Sequence, residues 1–456
     1  MLSCKAPMTV DPTFWNDAQA EGRRLRQTTP RSAHAIWKPA SDRMAVVEQV
    51  ILSNTNRLTD LLMLRHERMA ASPFAYLRGM PLTMARDLAA TPHTGILVQS
   101  GGDAHLMNFG LFASPERVLL FDITDFDETH LAPWEWDVKR LVASIAIAAR
   151  QPPLSLDRKM QQELAYDAAA SYRLHLREYS CMTHREIWHS RMTSDDFLDS
   201  APTDKSRTRL ESALRHALQR TGDRLLAKLT TNTPEGGLVI REDPPAIIHE
   251  TDGDFFADNV VQIIIQYRDT LQTDRRQLLE RYEIVDVARK AVGVGSVGTR
   301  CAIALLKADD GDMLVLQLKE ARPSILEQFT QRSAYTHPGE RIVTGQRLMQ
   351  SASDPFLGWT QGPSGIPFYV RQLRDMKASV ALDQMSAGEL REYGKLCGWC
   401  LARAHAKSGN SAIIAGYLGK EDQFDRAMSQ FAVAYADQNE SDAAAFLEGR
   451  RLKLLV

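Results

Sequence analysis

Residues 283–324 constrain the fold more than any other stretch, because their apolar residues and glycines fit antiparallel strands and little else. Residues 299–306 are β-like, residues 308–312 (ADDGD) form a hairpin turn, and residues 313–319 alternate between two faces. A glycine motif of the form G-x-G-x-x-G precedes these strands, at Gly293, Gly295 and Gly298. Because the glycine fingerprint of a dinucleotide-binding fold must open a helix, the strands that follow argue against that fold. The pattern predicts a small antiparallel sheet that carries a glycine loop.

The glycine loop and the strand after it are predicted to bind phosphate. Loop N–H groups can surround phosphate oxygens, and a lysine on the next strand adds a positive charge. We predict a nucleotide site formed by Gly293, Gly295, Ser296, Gly298 and Lys319. Glu327, one turn into the next helical segment, is the expected ion-pair partner of Lys319, with Glu320 as the alternative. The competing interpretation is that Lys319 is a solvated lysine on a strand face.

A second polar stretch, residues 97–129, has the composition of an acceptor and metal site. Asp103 and Asn108 lie five positions apart in a glycine-rich loop, and a strand later the chain carries the carboxylates Asp122, Asp125, Asp127 and Glu128. Phosphoryl transfer needs a carboxylate that orients the acceptor hydroxyl, and an amide oxygen with a carboxylate for Mg²⁺. The spacing predicts that Asp103 orients or deprotonates the acceptor and that Asn108 binds Mg²⁺. The alternative is that these are turn residues beside a solvated acidic loop.

The sequence leaves open which carboxylate accompanies Asn108 on the metal. The distance along the chain from Asn108 favours Asp122, whereas the local sequence D-F-D favours Asp125. Asp127 is predicted to be available for a second ion, because Mg²⁺ sites in proteins use only one or two carboxylates each.

Arginines and cysteines outside these stretches also have two interpretations. Arg65, Arg68 and Arg78 either contact phosphate, whose oxygens match a guanidinium bidentately, or form ordinary surface or structural pairs.

Cys397 and Cys400 form the motif C-G-W-C, which is also found in redox proteins. Redox chemistry places the nucleophile at a helix N-terminus, and here the motif lies in the middle of a helical pattern. We therefore expect these two cysteines to be packing residues.

The composition is that of an ordinary globular protein. The chain has 456 residues, a formal charge of −2 and a hydrophobic fraction of 44%, so bulk electrostatics favour neither nucleic acid nor an anionic membrane. The five cysteines are scattered, and the N-terminus lacks the pattern of a signal peptide. The longest apolar run, residues 141–149, is too short to cross a bilayer. We expect a cytoplasmic protein whose partners are a nucleotide and a small-molecule acceptor.

The patterns divide the chain into four parts. We predict a helical arm and cap over residues 1–95, and a catalytic-loop and helical lobe over residues 96–285. A nucleotide-binding β lobe with the glycine loop is predicted over residues 286–375, and C-terminal helices over residues 376–456 return to the helical lobe.

Two blocks resemble kinases. G-D-A-H-L-M-N followed by F-D-I-T-D-F-D resembles aminoglycoside and choline kinases, whose loop has the form H-G-D-x-x-x-x-N, and the glycine hairpin resembles a kinase nucleotide lobe. In kinases the glycine loop precedes the catalytic aspartate, whereas here it follows. The resemblance therefore implies an α+β, protein-kinase-like two-lobed fold that is circularly permuted, with a large helical lobe and a small antiparallel β lobe. The break would lie between the helix of residues 386–406 and the catalytic loop. Asp137 would then brace that loop, or would simply be an acid near a helix N-terminus.

Several blocks together resemble a bacterial family catalogued as domain of unknown function 2252, which is grouped with protein-kinase-like folds. These are F-A-Y-L-R-G, G-D-A-H-L-M-N-F-G, F-D-I-T-D-F-D-E-T, W-D-V-K-R-L, L-K-E-A-R-P-S and Y-A-D-Q. The resemblance covers residues 20–440. Two departures from kinases are Gly102, in place of the basic residue before the catalytic aspartate, and D-F-D in place of D-F-G.

The first functional hypothesis is an ATP- and Mg²⁺-dependent phosphotransferase acting on a small hydroxyl- or amino-bearing molecule, with Asp103 and Lys319 as catalytic residues. The second is a non-catalytic nucleotide-binding protein or one that transfers AMP. The third is a metal-dependent hydrolase that uses Asp103, His105, Asp122 and Asp125 without a nucleotide.

Overall fold

The computed structural model describes residues 12–218, 222–234, 236–251, 253–373 and 381–455. It has the predicted α+β class, with many helices and small antiparallel sheets. In the described part of the chain, every helix is too short or too polar to cross a membrane.

Five α-helices make up the described N-terminal part of the chain, which we call the cap. They are α1 (Pro12–Thr28), α2 (Val46–Asn54), α3 (Leu62–Ala70), α4 (Pro73–Gly79) and α5 (Pro81–Ala89). The cap has its own apolar cluster, in which Val50, Met69 and Tyr76 pack against Phe446 near the C-terminus. This packing ties the cap to the end of the chain.

The central part of the chain consists of short strands around one buried helix. Its elements are β1 (Leu97–Ser100), β2 (Phe109–Ala113), β3 (Leu119–Ile123), β4 (His130–Pro133) and α6 (Trp134–Arg150). β1 pairs with β4, and β2 pairs with β3, both antiparallel. Every residue of α6 except Arg150 is buried, as its apolar sequence predicts. The loop between β1 and β2 is therefore held on a rigid base.

The middle of the chain adds shorter elements. These are α7 (Arg158–Tyr179), α8 (His184–His189), α9 (Ser194–Asp199), α10 (Asp204–Leu218), α11 (Gly222–Leu229), β5 (Thr230–Asn232), β6 (Leu238–Ile240), β7 (Ile247–Ile248), α12 (Phe255–Arg268) and α13 (Thr273–Leu279).

The remaining strands form the main sheet together with β7. They are β8 (Tyr282–Lys290), β9 (Cys301–Ala308), β10 (Met313–Glu320), β11 (Gly358–Gln361) and β12 (Pro367–Gln372), and α14 (Pro338–Met349) lies between β10 and β11. The six strands run antiparallel in the order β11-β12-β10-β9-β8-β7. The predicted boundary of the β lobe at residue 286 falls inside β8, so the sheet takes in residues before that boundary.

The predicted hairpin of β9 and β10 is confirmed. Met313 pairs with Lys307 across the turn. Leu314, Leu316 and Leu318 pack on one face with residues of α12, while Val315 packs on the other face with residues of α11 and β6. Both faces are covered, which explains why β10 is buried along most of its length.

The C-terminal helices pack against α6 and α7. They are α15 (Ala387–Ser408), α16 (Ser411–Leu418) and α17 (Gln423–Arg451). α15 begins at the predicted N-cap, where Ser386 Oγ accepts a hydrogen bond from the Glu389 N–H. Cys397 and Cys400 of α15 are buried in the largest core cluster, as expected of packing residues.

Candidate functional site

A cavity of about 760 Å³ brings together the two polar stretches that the sequence singles out. The predicted site residues that line it are Asp103, Asn108, Asp125, Asp127, Gly293, Gly295, Ser296, Lys319 and Glu327. Other residues also line it, namely His105, Glu128, Glu320 and the arginines Arg57, Arg65, Arg78, Arg322 and Arg332. Asp122 and Gly298 are not among the lining residues.

Asp103 is fixed by a buried arginine of α6. Arg140 donates to Asp103 Oδ1 from Nε at 2.9 Å and from Nη2 at 2.7 Å. The side chain of Asp103 remains 17% exposed, so it still reaches the cavity. Burial raises the pKa of Asp103, and the neighbouring charge of Arg140 opposes that rise. Asn108 Nδ2 donates to the Asp103 carbonyl at 2.6 Å, and this bond holds the two predicted site residues in one loop conformation.

His105 lies beside Asp103. Its Nε2 is 3.6 Å from Asp103 Oδ2, and its Nδ1 is buried without a hydrogen-bond partner in the described residues. Burial, reinforced by the charge of Arg140, lowers the pKa of His105 well below its ordinary value. His105 is therefore neutral at physiological pH, and its contact with Asp103 is not an ion pair.

Asp137 braces the loop that carries Asp103, which is the first of the two interpretations of this residue given above. Its carboxylate accepts hydrogen bonds from the Gly101 N–H at 2.7 Å and the Gly102 N–H at 3.0 Å. His405 of α15 contacts the same carboxylate through Nε2 at 3.1 Å. These contacts join α6, α15 and the loop at one point.

The structure explains why glycine precedes Asp103. Gly102 has φ +77°, and a Cβ at this position would lie 2.2 Å from the Glu128 carbonyl oxygen. A basic residue there, as in kinases, would be both strained and in collision with the acidic segment.

Of the two carboxylates proposed to accompany Asn108, Asp125 reaches the cavity and Asp122 does not. Asp122 is fully buried, and both of its oxygens accept hydrogen bonds from Arg403 Nη2, at 2.7 and 2.6 Å. The N–H and Oγ of Ser351 also donate to Asp122 Oδ2, each at 2.8 Å. The expectation that Asp122 is a metal ligand is therefore corrected: it belongs to a buried ion pair. Asp125, in contrast, has a buried Oδ1 with no hydrogen-bond partner in the described residues.

Asp127 joins the acidic segment to the main sheet. Its Oδ2 accepts hydrogen bonds from Lys319 Nζ and, at 3.1 Å, from Ser296 Oγ, while its Oδ1 accepts one from the Tyr369 hydroxyl at 2.7 Å. Burial alone would raise the pKa of Asp127, but the charge of Lys319 and the hydrogen bonds from Lys319 and Tyr369 lower it to about 2. Burial likewise acts to lower the pKa of Lys319, and the charge of Asp127 outweighs it and raises that pKa. Lys319 and Asp127 therefore form a charged pair.

The sequence led us to expect that Lys319 pairs with Glu327 or with Glu320. In the structure it pairs with neither of them. Glu327 Oε1 accepts a hydrogen bond from the Ser324 N–H at 3.2 Å in a capping box. Glu320 pairs with Arg322 at 2.8 Å. Both glutamates line the cavity, but their carboxylates serve local contacts.

The cap holds the glycine loop along its length. The Leu58 N–H donates to the Gly298 carbonyl at 2.7 Å, and Arg57 Nη1 donates to the Val297 carbonyl at 2.5 Å. At the other end of the loop, Arg68 Nη1 donates to the Gly293 carbonyl at 2.7 Å. Sequence reasoning missed these contacts, because nothing local in the cap indicates a partner more than two hundred positions away.

Glu128 is a further cavity carboxylate, which the sequence showed only as a member of the acidic run. Its Oε2 accepts a hydrogen bond from the Ile325 N–H at 2.8 Å. Burial raises the pKa of Glu128 to about 7, because this bond and the charge of Arg341 only partly offset the desolvation of the carboxylate. Glu128 therefore changes charge near neutral pH.

The residues present fit a magnesium ion that takes most of its ligands from phosphate and water. Among the described residues, no three His, Cys, Asp or Glu side chains are arranged to hold a metal by themselves. Mg²⁺ needs only one or two protein carboxylates when phosphates and waters complete its shell. Asn108 and the unpartnered Asp125 oxygen meet that need. The hydrolase hypothesis required Asp122 beside Asp103, His105 and Asp125, and Asp122 lies outside their cavity.

The family described as "Uncharacterized protein conserved in bacteria (DUF2252)" matches residues 57–449. No curated protein and no solved structure matches the chain. Because the family match covers most of its length, the chain belongs to this family.

Proposed function

We propose that this member of the DUF2252 family is an ATP- and Mg²⁺-dependent phosphotransferase with a circularly permuted, protein-kinase-like fold, acting on a small hydroxyl- or amino-bearing acceptor. One observation carries the proposal. The glycine loop and Lys319 form part of the wall of a single cavity that Asp103, Asn108 and Asp125 also line. Phosphate-binding groups and an acceptor-orienting carboxylate in one cavity are what phosphoryl transfer requires.

The order of elements in the main sheet supports the kinase-like part of the proposal. β8, the glycine loop, β9, the lysine strand β10 and then α14 follow one another along the chain. This is the order of glycine loop, lysine strand and helix in protein kinases.

Contacts between α15 and the catalytic loop support the permutation. Gln99 lies in β1, directly before the catalytic loop, and its N–H donates to Ser408 Oγ at the end of α15, at 3.0 Å. His405, also near the end of α15, contacts Asp137, which holds the loop. In kinases a helix that resembles α15 leads directly into the catalytic loop. Here the two segments are neighbours in space although they are separated by most of the chain, as a permutation requires.

Each side chain of the cavity takes one role in the proposed reaction. Asp103 accepts the proton of the acceptor's hydroxyl or amino group. At the same time the oxygen or nitrogen of that group forms the new bond to the γ-phosphorus. The bond from that phosphorus to the β,γ-bridging oxygen breaks, and ADP leaves with the electron pair. Lys319 and the N–H groups of the glycine loop hold the phosphates. Asn108 and Asp125 would hold Mg²⁺, which when bound would neutralise charge on those phosphates.

Nucleotide binding must redistribute the contacts of Asp127. Lys319 and Ser296 now donate to this carboxylate, and both are predicted to hold phosphates. Phosphate oxygens offer them equivalent acceptors, so the exchange keeps the two donors satisfied. Asp127 is then left free for the second ion that its position predicts.

The test measures binding and turnover separately. Lys319→Ala should weaken Mg·AMP-PNP binding by about tenfold to a hundredfold in calorimetry, the loss expected for one hydrogen bond to a charged group. Asp103→Asn should leave that affinity nearly unchanged and abolish release of ADP from ATP in the presence of a pool of small alcohols and amines. Lys307→Ala is the matched control, because Lys307 is an exposed lysine on the neighbouring strand β9.

The outcomes separate the hypotheses. Nucleotide binding that needs Lys319, with ADP release that needs Asp103, supports a phosphotransferase. Release of pyrophosphate with AMP attached to the acceptor would identify AMP transfer instead. A wild-type protein that binds no nucleotide would end the proposal.

A further inference from the structure

Arg78, the penultimate residue of α4, lines the cavity, and its side chain donates no hydrogen bond within the described part of the chain. The residue is half-buried and lines the cavity, and its Nε is buried with no hydrogen-bond partner in the described residues. Of the other cavity arginines, Arg332 is exposed to solvent, whereas Arg57, Arg65 and Arg322 are held by contacts within the protein. Arg57 donates to the Ser53 and Val297 carbonyls, and Arg322 pairs with Glu320. A buried donor without a partner is costly, and a ligand in the cavity would supply the acceptor that Arg78 lacks.

The main chain on both sides of Arg78 is held by buried arginines. Arg140 Nη2 donates to the Leu77 carbonyl at 2.7 Å, and Arg65 Nη2 donates to the Gly79 carbonyl at 2.8 Å. Arg140 is also the residue that fixes Asp103. The same guanidinium therefore sets the position of Arg78 relative to the predicted acceptor base.

The glycine loop contacts the main chain of Arg78. A Cβ built on Gly295 would lie 3.0 Å from the Arg78 carbonyl oxygen, so the loop packs directly on this part of α4. Asp103 and Asp125 are the carboxylates whose charges act on Arg78. Neither is ion-paired with it in the described structure, since Asp103 pairs with Arg140. Arg78 thus contacts the phosphate loop and lines the same cavity as the predicted acceptor base and the predicted metal carboxylate.

We propose that Arg78 is a catalytic residue that binds the phosphoryl group during transfer, as an arginine supplied by the protein's own cap. The inference rests on the proposed function. The group in transit passes from the nucleotide under the glycine loop to the acceptor at Asp103, so its equatorial oxygens come within reach of a guanidinium between the two. As the acceptor–phosphorus bond forms and the bond to ADP breaks, negative charge is spread over these oxygens, and a fixed arginine stabilises it.

The test uses a mimic of the transferring group and needs no acceptor. Aluminium fluoride added to Mg·ADP imitates the phosphoryl group in transit, and calorimetry gives the affinity for Mg·ADP with and without it. We expect fluoride to tighten binding to the wild type. Arg78→Gln should reduce that gain by about tenfold to a hundredfold, while the affinity for Mg·ADP alone changes less than twofold. Arg78→Lys should keep part of the gain, because a lysine supplies the charge without the planar fork.

A surface arginine serves as the control. Arg158 forms an exposed ion pair with Asp437, and Arg158→Gln should retain the full gain. Melting temperatures of all variants verify that they fold.

Each outcome bears on a different claim. Two results would overturn the role of Arg78. In one, Arg78→Gln shows the same fluoride-induced gain in Mg·ADP affinity as the wild type. In the other, Arg78→Gln loses the same amount of affinity for Mg·ADP with and without fluoride. A wild type that binds Mg·ADP but shows no gain would overturn it as well, and would leave the nucleotide site standing. A wild type that binds no Mg·ADP would refute the proposed function itself.

Discussion

Replacing Asp122 tests whether this carboxylate belongs to the fold or to a metal site. Its side chain and that of Arg403 are both 0% exposed, with Arg403 Nη2 2.6 Å from Asp122 Oδ2. Arg403 Nη2 also donates a hydrogen bond to the Met349 carbonyl at 2.9 Å. Its Nε and Nη1 have no hydrogen-bond partners in the described residues. Asp122 is therefore the carboxylate that compensates the buried charge of Arg403 among the described residues.

The expected cost of Asp122→Ala follows from this burial. Removing one partner of a buried pair leaves an uncompensated charge, which costs about 3–5 kcal/mol. The donors of Ser351 lose their acceptor too, but Ser351 is half-buried and water can replace it. We expect the free energy of unfolding to fall by about 4 kcal/mol, and the melting temperature to fall by several degrees.

A double-mutant cycle measures the pair directly. Arg403→Met should cost about as much as Asp122→Ala, because it leaves the carboxylate unpaired. The double variant should be less destabilised than the sum of the single variants by about 3 kcal/mol in urea denaturation, since it removes both charges together. Asp122→Asn should leave the magnesium dependence of AMP-PNP binding intact.

Two results would refute this reasoning. One is additivity of the single variants to within about 0.5 kcal/mol, which is the behaviour of independent sites. The other is loss of Mg·AMP-PNP binding in Asp122→Asn with unchanged stability, which would return Asp122 to the metal site.

Two further predictions concern the cavity carboxylates and the loop. Because burial raises the pKa of Glu128 from 4.5 to about 7, the folded state loses stability relative to the unfolded state as pH rises through this window. Glu128→Gln should remove that loss. Between pH 4 and pH 8, its free energy of unfolding should therefore rise relative to that of the wild type by up to about 3 kcal/mol in denaturant titrations. A difference between the two proteins that does not change with pH would contradict this prediction. Asp137→Asn should loosen the loop and lower turnover by about tenfold to a hundredfold with little change in Mg·AMP-PNP affinity. Equal losses of turnover and affinity would show that Asp137 acts only on the overall fold.

The features that could be predicted from the sequence are local. The hairpin of β9 and β10 follows from the alternation of apolar residues and the turn between them, all within twenty positions. The N-cap at Ser386 follows from a serine three residues before Glu389. The bracing role of Asp137 could be predicted because a resembling fold supplied the long-range contact that its own sequence does not show.

The features that could not be predicted depend on partners far along the chain. Asp122 shares a strand with apolar residues and is buried with them, but its partner Arg403 is 281 positions away on α15. Nothing near Asp122 distinguishes a buried ion pair from a metal ligand. Lys319 likewise has two glutamates nearby in sequence, yet pairs with Asp127, 192 positions earlier.

The physical reason is that the cost of bringing segments together grows slowly with their separation. Loop-closure entropy rises with the logarithm of loop length, so each doubling of the separation costs only about 0.6 kcal/mol more. Ser296 and Lys319, 169 and 192 positions from Asp127, therefore meet it at little more cost than a residue thirty positions away would. One hydrogen bond to a charged group, worth about 1.5–3 kcal/mol, outweighs that difference. Side-chain chemistry consequently decides which segments form the site, and their order in the chain is only weakly constrained.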